Sequence, residues 1–192
     1  MTVAKSHRVC WLGIVLSAFI LASDVGSSAG AQFGMFKRDK TTKYQVFKDA
    51  AGRFTLEYPA NDWRVIPGGG SVLIGFTQKD GEVSVLVDYT KLKLTLAPSE
   101  IDSSFAELEV QTLKERQPNA KDIKSNLVAG PRGPRVVIQF SRSGEKGAEQ
   151  VFQYSIPNGD DLFRLVCTVR SDRTEKNQPI LSHMVESFAT SR

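Results

Sequence analysis

The sequence is poor in the residues that usually announce chemistry. Its 192 residues hold only two cysteines and two histidines. Cys10 and His7 fall at the very start of the chain, which leaves Cys167 and His183 for the rest. One cysteine cannot close an intrachain disulfide, so stability has to come from a packed core. One histidine without a partner motif gives neither a triad nor a metal pair, and Ser182 beside His183 does not make one. The triple glycine at 68–70 lacks the Gly-Lys-Ser/Thr that completes a phosphate loop. It also stands between two strand patterns, with no helix N-terminus to hold an anion. Asp160–Asp161, Asp80 and Glu82 could offer oxygen ligands to calcium, but none fits the twelve-residue calcium loop. The formal charge is only +4, too small for a nucleic-acid footprint. No internal repeat and no low-complexity run occurs.

What is present begins with an export pattern. Lys5, His7 and Arg8 precede the apolar run Val9–Ala22, 14 residues long. A bilayer span takes about 20. Small and polar residues then lead to Ala29-Gly30-Ala31, an A-x-A ending that predicts signal-peptidase cleavage after Ala31. Cys10 sits too early to carry a lipid. Cleavage would remove Lys5, Arg8 and Asp24 and take the formal charge from +4 to +3. Residues 32–43 then form a basic arm, expected to be flexible. Phe33, Met35 and Phe36 are apolar, and Lys37, Arg38, Lys40 and Lys43 are candidates for weak contact with an anionic membrane surface. The rest, 44–192, is expected to be one domain.

Strand patterns dominate that domain. Phe54, Leu56 and Tyr58 alternate with Arg53, Thr55 and Glu57, and Pro59 ends the run. Trp63 and Val65, then Val72, Ile74 and Phe76, then Val83, Val85, Val87 and Tyr89 continue the alternation. Pro67 with the triple glycine, and Asp80–Gly81, supply the turns. The spacing predicts a four-strand antiparallel meander over 54–89. A helix follows Pro98–Ser99, with Ser99 and Asp102 at capping-box spacing. Its expected inner face is Ile101, Phe105, Leu108 and Leu113, with Glu107, Glu109, Lys114 and Glu115 outside; Pro118 stops it. Strands resume at Val136, Ile138 and Phe140, and at Phe152, Tyr154 and Ile156. Asn158–Gly159 is a turn signal, and Phe163, Leu165, Cys167 and Val169 form the last inward stripe. Apolar residues on both faces of these strands ask for cover on both. A final helix with Ile180, Leu181, Met184, Val185 and Phe188 on one side supplies part of it, with Pro179 expected in its first turn.

Three single residues invite a functional reading beside a packing one. Cys167 in the inward stripe reads as a small hydrophobe. His183, next to the apolar side of the last helix, reads as solvated or packed. Trp63 reads as a plug at the end of the sheet, or as one wall of an apolar ligand pocket shared with Phe76.

The stretches "YQVFKDAAGRFTLEYPANDWRVI", "GGGSVLIGF" and "EVSVLVDY", with the closing "LFRLVCTV" and "HMVESF", carry a resemblance. Their order of Tyr, Asp-x-x-Gly turn, Tyr-Pro strand end, Trp, glycine-led strand and Val-Ser-Val strand resembles the PsbP family. That family comprises the extrinsic oxygen-evolving proteins of photosystem II and their wider PsbP-like relatives. The resemblance covers roughly 150 residues. It implies an α+β fold, an α/β/α sandwich in which helices cover both faces of an antiparallel β-sheet. By resemblance alone, calcium or manganese is a candidate ion; the residues themselves call for no cofactor.

The functional expectation is therefore an exported, non-enzymatic PsbP-like protein, periplasmic or extracellular. It would bind an envelope partner or assist an assembly there, and would not bind nucleic acid. A carrier of a lipid or apolar small molecule is one alternative, and a photosystem-II-associated extrinsic protein is another. A hydrolase built on Cys167 or His183 is a third. The leader reading makes a direct prediction: intact-mass analysis of the exported protein should give a chain that starts at Gln32. A chain retaining residues 1–31 would overturn it.

Overall fold

Stripes of alternating residues can pair only where the chain between them turns the right way, and the turns decide the topology here. The computed structural model describes residues 42–130 and 133–191. The expected leader, residues 1–31, and Lys37, Arg38 and Lys40 of the expected basic arm lie outside the described residues. Lys43, the last residue of that arm, is exposed, and its carbonyl accepts the Ala60 N–H at 2.8 Å.

The first strands are β1 (Tyr44–Lys48) and β2 (Phe54–Pro59), an antiparallel hairpin. Its turn is held by Asp49, whose carbonyl accepts the Gly52 N–H and whose carboxylate pairs with Arg53 at 2.7 Å. That guanidinium holds the Asp49 carboxyl below its usual range. Next come β3 (Trp63–Gly69), β4 (Val72–Gln78) and β5 (Val83–Leu96), with β3 antiparallel to β4 and β4 antiparallel to β5. The expected four-strand meander is therefore a three-strand one. Phe54–Pro59 pairs instead with β1 and, at its other edge, with the short β9 (Ala189–Thr190) at the chain's end. The reason lies at Asp62, whose φ of 61° is left-handed. This corner sends the chain out of the small sheet, and the Asp62 carbonyl then takes the Lys79 N–H to start β3 beside β4.

The glycine run works as a turn, as its flanking strands require. Gly70 has φ 63°, and a Cβ on Gly68 would collide with the Val72 carbonyl. Asp80–Gly81 closes the β4–β5 hairpin, where Gly81 N–H donates to the Gln78 carbonyl at 2.8 Å.

Helix α1 (Ser103–Arg116) follows a 3₁₀ turn at Pro98–Glu100. Its N-cap is Asp102, whose carboxylate accepts from the Ser104 and Phe105 N–H groups. Its rotation differs from the expected one. Phe105, Ala106, Glu109 and Leu113 face the sheet, while Leu108 is 60% exposed. Then come β6 (Lys121–Gly130), β7 (Gly133–Gly144) and β8 (Gly147–Arg170). They complete a six-stranded sheet in the order β3-β4-β5-β8-β7-β6.

In β8, residues 147–155 pair with β7 and residues 159–169 with β5. Ser155 and Arg164 touch the same Glu109 carboxylate. Nine extended residues would set them about 30 Å apart. The strand therefore turns back on itself, and the left-handed Gly159 (φ 66°) of the expected Asn158–Gly159 turn is where it does so. Helix α2 (Thr174–Ser187) closes the fold. Pro179 lies inside it rather than in its first turn, because the helix begins five residues earlier, at Thr174.

Among the described residues the fold is thus an antiparallel sheet structure with two α-helices. The buried apolar residues fall into two core clusters. One joins α2 and the small sheet to Val83, Val85, Val87, Phe163, Leu165, Cys167 and Val169. The other joins α1 to Val136, Ile138, Phe140, Val151 and Leu162. Cys167 is fully buried, and burial pushes its thiol pKa up to about 12. A thiol reagent should therefore label Cys167 only at the rate of unfolding, and Cys167→Ser should lower stability by about 1–3 kcal/mol. Rapid labelling of the native protein would show the stripe to be accessible.

Candidate binding cavity

The face beneath α1 carries polar residues that a half-covered sheet does not need. Strand β5 places Asp88 and Thr90 there, and the antiparallel register sets Arg164 of β8 opposite Asp88. The β7-paired half of β8 adds Gln153 and Ser155. From above, α1 turns Glu109 inward. Glu109 is 2% exposed and Arg164 5%. Arg164 Nε and Nη2 donate to the two Glu109 carboxylate oxygens at 2.8 and 2.7 Å, a bidentate fork. Ser155 Oγ donates to the same carboxylate. Arg164 Nη1 donates to Thr90 Oγ1 at 3.0 Å. A charge buried at this depth survives only with such a full set of partners.

Beside this network opens a cavity of about 190 Å³. Leu86 and Val166 on the central strands and Phe140 on β7 form an apolar floor. The last turns of α1 form the roof with Thr112, Leu113, Arg116 and Gln117. Three arginines reach it: Arg164, Arg142 and Arg116. Their bonds differ. Arg164 is locked on Glu109, and Arg142 pairs with Glu149 at 2.8 Å. Arg116 meets Asp88 at 3.4 Å and keeps half of its side chain in solvent. Asp88 is itself shared, lying 3.8 Å from Arg164. Arg116 is therefore the most weakly held cation of the three.

The residues singled out from the sequence lie elsewhere. Trp63 and Phe76 are buried in the α2-side core, on the other face of the sheet from this cavity. His183 Nε2 lies 2.7 Å from Glu57 Oε2, and its ring packs at a tilt against Tyr44, with centroids 3.8 Å apart, so it ties α2 to the small sheet. Asp160 and Asp161 both grip Lys91, at 2.7 and 2.9 Å, so an ammonium occupies the place a cation would take. Asp80 accepts the Glu82 N–H, and Glu82 pairs with Arg170 at 2.8 Å. Among the described residues, no three His, Cys, Asp or Glu side chains gather as a metal site. Among them, too, no helix is long and apolar enough to cross a membrane.

Sequence reasoning placed Glu109 on the outer face of the helix and did not bring it together with Gln153 or Arg164 on the strands. The available signal was polar: Gln153 and Arg164 interrupt faces that are otherwise apolar. Glu109 alone matched a solvated helix face.

No protein-family model matches the sequence, and no curated protein matches it. Solved structures do. The solution structure of cyanobacterial PsbP (CyanoP) from Synechocystis aligns with a TM-score of 0.61 at 13% identity, over 83% of this chain and 99% of that one. The Saccharomyces cerevisiae Ran-binding protein Mog1p aligns at 0.53 and 10%, over 78% and 96%. LpqN of Mycobacterium tuberculosis, described as involved in cell envelope biogenesis, aligns at 0.50 and 13%, over 81% and 94%. The chain has a PsbP-like fold.

The buried pair makes a prediction about α1. Glu109→Leu leaves Arg164 charged, buried and stripped of its fork, and should cost about 3–5 kcal/mol in urea unfolding. Adding Arg164→Met should recover most of that loss, with a coupling free energy above about 1 kcal/mol in the double-mutant cycle. Additive losses would mean that the two side chains do not depend on one another.

Proposed function

We propose that this protein is an exported, non-enzymatic PsbP-like binding protein of the cell envelope, and that the arginine-lined cavity under α1 is where it binds. The observation that carries the reading is the cavity itself. It combines an apolar floor with a few convergent polar groups, the usual make-up of a small-molecule site. Its walls stand on rigid elements, the central strands and the last turns of α1. The most buried charge lining it, Arg164, is held in place by Glu109 and Thr90 rather than left to find a ligand.

Export is supported by the basic start, the 14-residue apolar run and the A-x-A ending. Work at the envelope is supported by the likeness to LpqN, a protein described in those terms. A non-enzymatic role is supported by the placement of the two reactive side chains. The Cys167 thiol is sealed in the core and held protonated, whereas a nucleophilic thiol has to be exposed and acidic. His183 is spent on Glu57 and Tyr44. We read the layering as helix–sheet–helix, with the small sheet sharing the α2 side. The extrinsic photosystem II reading is kept as a second one, because the fold likeness spans 99% of cyanobacterial PsbP.

Fractionation of cells making the full chain tests the proposal. The protein should leave the cytoplasm, and gentle extraction of the envelope should recover it with a bound molecule visible in native mass spectrometry. Retention in the cytoplasm would overturn the location. Recovery only as the bare polypeptide would count against the binding role.

A further inference from the structure

The lining of the α1 cavity says more about its occupant than that one exists. Resting on the binding reading above, we propose that the cavity takes a small organic carboxylate with a compact apolar body. Its carboxylate would lie against Arg116, and its body on the floor of Leu86, Val166 and Phe140.

Size comes first. A volume of about 190 Å³ is below the roughly 300–1,000 Å³ of pockets for drug-sized ligands. At ~30 Å³ for each water it equals about six waters. A lipid chain does not fit, and a single ring or a short branched chain does. The floor then sorts the chemistry. A fully hydrated ion such as phosphate gains nothing from Leu86, Val166 and Phe140, whereas a flat apolar body removes them from water.

Charge decides the rest. Three arginines reach the cavity and one carboxylate, Asp88, lines it. Behind the wall, Glu109 neutralises Arg164 and Glu149 neutralises Arg142. That leaves Arg116 facing an Asp88 that is shared with Arg164 and stands 3.4 Å away. Charge-assisted N–H···O⁻ bonds close to about 2.7–2.9 Å when unopposed. A ligand carboxylate can therefore offer Arg116 a better partner than it has. The planar guanidinium suits the two oxygens of a carboxylate, which a lysine would not match. The carbonyl end of α1 works against an anion here, with an effective charge of about −0.5 at the helix C-terminus. Lys114 and Arg116 in the last turn offset it. The balance favours weak, selective binding of an anion.

Isothermal titration of the full-length exported protein, dialysed until native mass spectrometry shows no co-isolated molecule, against benzoate, benzamide and inorganic phosphate tests this. Benzoate and its neutral isostere benzamide share a shape and differ in charge. Benzoate should bind at least about ten-fold tighter than benzamide, and phosphate should give no heat. Arg116→Gln should weaken benzoate about ten-fold and leave benzamide unchanged. Arg64→Gln, on exposed β3 away from the cavity, should leave both unchanged. Thr112→Phe keeps every charge but fills the roof, and should abolish binding of both; thermal melts of each variant verify folding. Equal binding of benzoate and benzamide would overturn the carboxylate proposal while the binding reading stands. Phosphate binding tighter than benzoate would overturn it in favour of a polar anion. No binding of any probe would also overturn it, and the envelope co-isolation above then decides the binding reading separately.

Discussion

The β5–β8 ladder is the constraint on which the rest of the structure depends. It runs in unbroken register from Val83 opposite Val169 to Lys91 opposite Asp161. Alternate residues of both strands point to opposite faces, so a single register assigns two different surfaces at once. On one side stand Val83, Val85 and Val87 with Leu165, Cys167 and Val169, all fully or almost fully buried. On the other stand Ser84, Leu86 and Asp88 with Arg164, Val166 and Thr168. A slip of one residue would drive Asp88 and Arg164 into the apolar α2 side. The apolar face thus pins the register, and the register in turn brings the charged pair together.

The two core clusters are closed by different means. The α2 side is closed by hydrophobic contact, with Phe54 stacked on Phe188 and both rings touching Phe163. The small sheet contributes β2 to this layer, and the Glu57–His183 pair fastens it to α2. The α1 side is closed by a mixture. Phe105, Ala106 and Leu113 bury apolar surface over β6 and β7, while Glu109 reaches Arg164. A buried ion pair adds little net stability compared with a hydrophobic pair, since desolvation offsets most of the Coulomb gain. What it does set here is orientation. With Glu109 turned inward, Leu108 faces outward, and the last turns of α1 line the cavity opposite Leu86 and Val166 of the central strands.

The fold likeness and the site separate cleanly. Proteins of cyanobacteria, yeast and mycobacteria share this architecture with the present chain at 10–13% identity. What such distant chains have in common is a pattern of alternation and turns, because that is what the sheet requires. Function resides in the side chains placed on that frame. On the reading proposed above, those are the arginines and carboxylates around the cavity.

The sequence by itself determined the strands with strict period two, the turns at Asp80–Gly81 and Asn158–Gly159, the existence of both helices and the burial of Trp63, Phe76 and Cys167. These are local matters: alternation, left-handed glycines and apolar stripes all act within a few residues. It also carried the PsbP-like resemblance, through residues that build the frame. The tertiary structure alone decided three things. Phe54–Pro59 joined a separate sheet because its second partner, Ala189–Thr190, lies at the far end of the chain. Helix α1 rotated toward Glu109 because an arginine 55 residues away needed a carboxylate. The cavity arose where those distant choices met. Each depends on a contact between residues far apart in sequence, and neither periodicity nor spacing records such a contact until the chain has folded.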